Sequence, residues 1–208
     1  MSIDMTMMYA LHDALRRELD RVARLTDTPT DHPGTLLKAT VTWELFSTYL
    51  HVHHTSEDDS LWPALREVVP ATDLALLDAM EAEHAVIDPA LIAVESSATP
   101  EALAENVAVL RDRLTAHLAH EERQTLPLIA AVLSPEGWAG FGALHRQRIG
   151  ADTRRYLPWV LDSAGDERTA RVLGALPESI TAAYRDDWLP EYRAARAHVT
   201  SGGGDTSG

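Results

Sequence analysis

The sequence predicts an all-α protein: an antiparallel up-down-up-down four-helix bundle followed by additional C-terminal helices. Three observations carry this. Apolar residues recur at helical spacing through the first 134 residues, and no strand alternation competes with them. The rhythm stops at segments rich in Pro, Thr and Asp, which divide it into four amphipathic stretches. Each stretch also carries one histidine within its apolar seam, and two of them add a glutamate one turn on.

The first helix is read from Met5, Met8, His12, Leu15, Leu19 and Val22, which step 3-4-3-4-3, and it ends before the loop "TDTPTDHPG". The second runs Trp43, Phe46, Leu50, His53, Glu57, Leu61 and fades at "VVPATD". The third takes Thr72 or Asp73 as N-cap and runs Leu74, Leu77, Met80, His84, Ile87, Leu91, Val94. The fourth begins at "TPEAL", a cap followed by Pro100 in the first turn, and runs Leu103, Val107, Leu110, Leu114, His117, Glu121.

The second and fourth stretches share one grammar, His53-x3-Glu57-x5-Pro63 and His117-x3-Glu121-x5-Pro127, while His12 and His84 stand alone in the helix before each pair. Residues 5–68 are thus echoed by 74–133, the pattern of a duplicated helix pair. In a bundle, Glu57 and His84 reach the same depth, each roughly 17 Å from their shared turn. His84 and His117 fit less well. Counted from their helix ends they differ by about 7 Å, which the loop position or a kink at Pro89 must absorb.

A seam that lands on ionisable groups needs partners for them, since a buried polar group without one costs roughly 2–7 kcal/mol. His12, His53, Glu57, His84, His117 and Glu121 all fall on inward faces, and residues i and i+4 share a helix face. Metal coordination meets the demand directly, and four imidazoles with two carboxylates are enough for a pair of ions. Without thiolate and with nitrogen in the majority, iron, zinc, manganese or copper fit, whereas calcium and magnesium sites would be oxygen-rich.

In combination, His12, "HHTSEDDSLWP" at 53–63, His84 and "HLAHEERQTLP" at 117–127 resemble the hemerythrin-like family, the HHE cation-binding domain, over about residues 5–133. The resemblance implies a non-haem di-iron centre in which His12, His53, His84 and His117 are terminal ligands. Glu57 and Glu121 would bridge the two irons, usually with an oxo or hydroxo group; zinc or manganese would be less usual occupants. Oxygen-carrying members have a second histidine four residues after the third-helix ligand and a longer final spacing ending in aspartate. Here that position is Asp88 and the last pair is His117-x3-Glu121, departures that point away from reversible oxygen carriage.

His54, about 100° round the helix from His53, can give one metal an extra ligand or lie on the flank; its counterpart in the repeat is Leu118. Asp88 precedes Pro89, where a turn is a sufficient explanation, and Tyr49 is a candidate hydrogen-bond donor to the site or a packing aromatic. His51, His120, His32 and His198 read as surface residues, and His145 as packed or surface.

Composition excludes several function classes. A formal net charge of −14 argues against a nucleic-acid footprint or a polybasic membrane surface. Cysteine is absent, which removes disulfides, thiolate nucleophiles and zinc fingers. Acidic residues near the start and the lack of a long apolar run argue against a signal peptide or a membrane span, so a cytoplasmic location is expected.

Residues 1–134 are thus expected to be the metal-binding bundle and 135–200 a helical extension packed on it, capped by Ser134 and Pro135 and punctuated by Pro158, Pro177 and Pro190. Residues 201–208, "SGGGDTSG", read as a flexible tail. Three functions are consistent with this: a di-iron protein that binds or reacts with dioxygen or peroxide, an iron- or oxygen-responsive binding module signalling through the extension, and a bundle with a structural metal.

Overall fold

Helix starts follow the caps that the sequence supplies. In the computed structural model, which describes the backbone of residues 3–26 and 33–201 and the side chains of 3–26 and 42–196, Thr99 is extended and its hydroxyl accepts from the Ala102 amide at 3.2 Å. Ser134 does the same for Gly137 at 3.1 Å. Each satisfies an amide that an unfolded first turn would otherwise leave bare, with Pro100 or Pro135 at the next position, where no amide proton is needed. Asp73 occupies the N-cap of the third stretch without a side-chain cap bond.

The helices are α1 (Thr6–Thr26), α2 (Pro33–Ser56), α3 (Trp62–Arg66), α4 (Leu74–Glu95), α5 (Pro100–His120), α6 (Leu126–Val132), α7 (Pro135–Ile149), α8 (Thr153–Leu161), α9 (Asp166–Gly174), α10 (Glu178–Ala183) and α11 (Leu189–Ser201). Single π-helical turns join α2 to α3, α5 to α6 and α10 to α11. No strand occurs among the described residues, and no helix among them is long and apolar enough to cross a membrane. Residues 27–32 of the expected loop, with His32, and residues 202–208 of the expected tail lie outside the described residues, as does the His198 side chain.

The chain divides into two compact units, residues 1–5 with 47–150 and residues 6–46 with 151–208. In the first, α4 and α5 pack as a hairpin. Asn106 donates to the Ala93 carbonyl at 3.1 Å and Arg113 to the Val86 carbonyl at 2.8 Å, so the helices run antiparallel and residue numbers advance on one as they fall on the other. His84 and His117 follow the same pairing. The 7 Å discrepancy is absorbed by the connection at 96–99, which is extended at Thr99 and lets the first turn of α5 start past the end of α4. Helix α4 itself runs unbroken through Pro89. Leu50, Leu61, Trp62, Leu65, Leu77, Met80, Ile87, Leu110, Leu114 and Ile129 are fully buried around the seams. Helix α7 lies against the first π turn and ends at Gly150, whose positive φ of 52° suits a residue without Cβ.

In the second unit α1 packs on α8 and α9, and α8 on α11. Leu11, Leu15, Leu19, Trp159 and Val160 are buried there. Glu18 is fully buried among arginines: Arg17 lies 3.2 Å away, Arg21 bonds to it, and Arg196 lies at 3.4 Å. Asp162 takes a second share of these cations and the Tyr192 hydroxyl at 3.1 Å. Burial works against its ionisation, yet Arg17, Arg21 and Arg196 hold its carboxyl below the usual range.

Candidate metal centre

Both glutamates of the repeated motif stand where the helix changes gauge. Glu57 opens the π turn Glu57–Leu61 and Glu121 opens Glu121–Thr125. In each turn the amide five residues on, Trp62 or Leu126, donates to the glutamate's carbonyl. A proline follows each turn, Pro63 or Pro127: it has no amide proton and its ring crowds the carbonyl four residues back, which favours opening the backbone by one residue, although α4 and α8 hold Pro89 and Pro158 without a π turn. The repeated proline was visible in the sequence, while the π turn before it was not.

Two groups of donors assemble in the first unit. His53, Glu57 and Glu121 each offer one ligand atom within 4.8 Å of the others, and so do His54, His84 and His117. All six are buried. Glu57 faces both groups: Oε1 lies 3.5 Å from His53 Nδ1, and Oε2 lies 3.5 Å from His84 Nε2. His84 Nε2 and His117 Nε2 are 3.1 Å apart. His54 stacks on His84, with ring centroids 3.9 Å apart and 14° between planes. His12 is fully buried on α1 in the second unit.

Two further carboxylates, absent from the sequence reading, aim the imidazoles. His84 Nδ1 donates to Asp58 at 2.8 Å, and His117 Nδ1 donates to Glu83 at 2.8 Å. His120 shares Glu83 at 2.7 Å, so this expected surface residue is half-buried and partnered. A carboxylate on Nδ1 fixes the tautomer and leaves Nε2 to present its lone pair. Both aiming residues adjoin a seam residue, Asp58 after Glu57 and Glu83 before His84. In a charged helix flank that position is indistinguishable from a solvated one.

The electrostatics fit a cation. Burial, then the neighbouring Glu121 carboxylate, pushes the Glu57 pKa well above the usual carboxylate range. Burial lowers that of His117, with the bond to Glu83 opposing it. Glu83, despite its own partial burial, is held low by its bonds to His117 and His120. Two adjacent buried acids, and two Nε2 atoms 3.1 Å apart, need either a shared proton in each pair or a cation among them, and a cation serves both pairs at once. Nitrogen and oxygen donors without sulfur suit iron, zinc or manganese.

The other residues singled out in the sequence are placed as follows. Asp88 and His51 are exposed. Tyr49 is buried in the core of the first unit. His145 is buried on α7 beside Phe141, where burial and then Arg146 and Arg148 lower its pKa to about 4.

No curated protein and no solved structure matches the chain. Residues 4–129, more than half of it, match the hemerythrin HHE cation-binding domain. With that match and a buried His/Glu cluster able to hold metal, the chain belongs to the hemerythrin HHE cation-binding family and is an all-α protein of that type.

Proposed function

We propose that the chain carries a dinuclear non-haem iron centre, held by His12, His53, Glu57, His84, His117 and Glu121, that binds or reacts with dioxygen or a peroxide. The observation that supports it best is Glu57, whose two oxygens face different donor groups at 3.5 Å each, the posture of a bridging carboxylate. Two irons there would supply one-electron chemistry toward oxygen species.

The residues divide the remaining work. His53 and Glu121, together with His12, would hold one ion, and His84 with His117 would hold the other. Asp58 and Glu83 keep the His84 and His117 rings turned inward. Leu61, Trp62, Met80 and Leu114, all fully buried, keep bulk water away and so strengthen every charge interaction at the centre.

The test is metal content and the ultraviolet-visible spectrum of protein purified without added metal, before and after peroxide. The proposal expects about two irons per chain and near-ultraviolet ligand-to-iron bands that change on peroxide addition. One colourless zinc, or no metal, would overturn it.

A further inference from the structure

The internal repeat is broken at one buried position. His53 and His117 correspond, as do Glu57 and Glu121, but the residue after the histidine is His54 in the first copy and Leu118 in the second. Both are buried, His54 3 % exposed and Leu118 fully enclosed. Leu118 is the ordinary outcome for such a site. An imidazole there costs solvation that leucine does not, so its surroundings must repay it.

Those surroundings are the two other imidazoles. His54 lies 3.9 Å from the His84 ring, nearly parallel to it, and 5.3 Å from the His117 ring, edge-on. One nitrogen of each of the three falls within a single 4.8 Å group. His84 and His117 have their Nδ1 atoms fixed on Asp58 and Glu83, and their Nε2 atoms meet 3.1 Å apart. Three nitrogen donors are thus gathered at the place where the Nε2 atoms of His84 and His117 meet.

Resting on the dinuclear reading, we infer that His54 is a ligand: it binds the ion shared by His84 and His117, which makes that position tri-imidazole and its neighbour carboxylate-rich. The chain thereby replaces the nitrogen donor that Asp88, exposed on α4, does not provide. The two positions differ in donor set, so they fill in sequence rather than together, the nitrogen-rich one favouring later divalent metals of the first transition row.

The test is titration of the metal-free full-length chain with cobalt(II), followed by its visible absorption. Wild type should take up two cobalt ions per chain in two resolved steps. His54→Leu, which copies the other half of the repeat, should keep one step and weaken the other at least ~10-fold, with helical circular dichroism unchanged. Two steps of wild-type affinity in a folded His54→Leu would overturn the His54 assignment and leave the dinuclear reading standing. Fewer than two ions in wild type would overturn both.

Should His54→Leu fail to fold, the proton NMR spectrum of cobalt-loaded wild type decides. Hyperfine-shifted imidazole resonances assigned to His54 together with those of His84 and His117 support ligation. A His54 ring at diamagnetic shifts contradicts it.

Discussion

Glu83 touches no position reserved for metal, yet it accepts from His117 at 2.8 Å and from His120 at 2.7 Å. Glu83→Gln keeps the size and removes the charge that orients His117 Nδ1. Metal affinity should fall about 10–100-fold, measured by competition with a chromophoric chelator; an unchanged dissociation constant would show that His117 needs no such support. His145 yields a prediction about pH. Its folded pKa of about 4 lies below the ordinary 6.5, so the fold holds it neutral where the unfolded chain is protonated. Its contribution is present in full above pH 6.5 and is lost as pH falls toward 4. Urea unfolding of wild type should therefore lose about 3 kcal/mol across that range relative to His145→Leu, and parallel profiles for the two would refute it. At this scale the sequence was informative wherever a polar residue interrupted an apolar seam. The inward positions of His53, Glu57, His84, His117 and Glu121 follow from spacing alone. Asp58 and Glu83 could not be found that way, because an acidic residue beside a buried one is what any amphipathic helix carries, and which flank meets a neighbouring ring is decided by tertiary packing.

Among the elements, the caps act independently of the metal. Thr99→Ala removes the acceptor for the Ala102 amide, and the expected loss is about 1 kcal/mol of unfolding free energy with metal stoichiometry unchanged. A change in metal uptake would mean that the start of α5 is coupled to the centre, more than four turns away. The π turns show what punctuation in a sequence means physically. Among the described residues three occur, at Glu57–Leu61, Glu121–Thr125 and Tyr184–Trp188, and each is followed two residues later by a proline, Pro63, Pro127 or Pro190. The third opens on Tyr184 rather than a glutamate, so a π turn needs no glutamate, while Pro89 and Pro158 lie inside α4 and α8 without one, so a proline accompanies the widening but does not suffice for it. Proline spacing was legible from the sequence; the choice between a break, a kink and a π turn was not. The α4–α5 register was similarly hidden, because helix ends do not say how far an extended connection such as 96–99 lets one helix overhang the other.

For the molecule as a whole, the second unit depends on charge as well as on apolar burial. Glu18, fully buried, faces Arg17, Arg21 and Arg196, drawing α1 and α11 together. Glu18→Ala would remove one of the two carboxylates those guanidinium groups share, Asp162 being the other, and should cost about 1–3 kcal/mol, read as a lowered urea midpoint; a loss under 1 kcal/mol would place the network among weak surface pairs. None of these residues interrupts an apolar seam as the histidines do, which is why the network escaped sequence reasoning while the all-α class did not. The central claim is that Glu57 stands between two ions. Anomalous diffraction at the iron edge, from crystals of the iron-loaded chain, tests it directly. The account predicts two peaks about 3.5–4 Å apart, one beside each Glu57 oxygen, with His54, His84 and His117 around the same peak. A single peak, or two peaks on one side of Glu57, would contradict it.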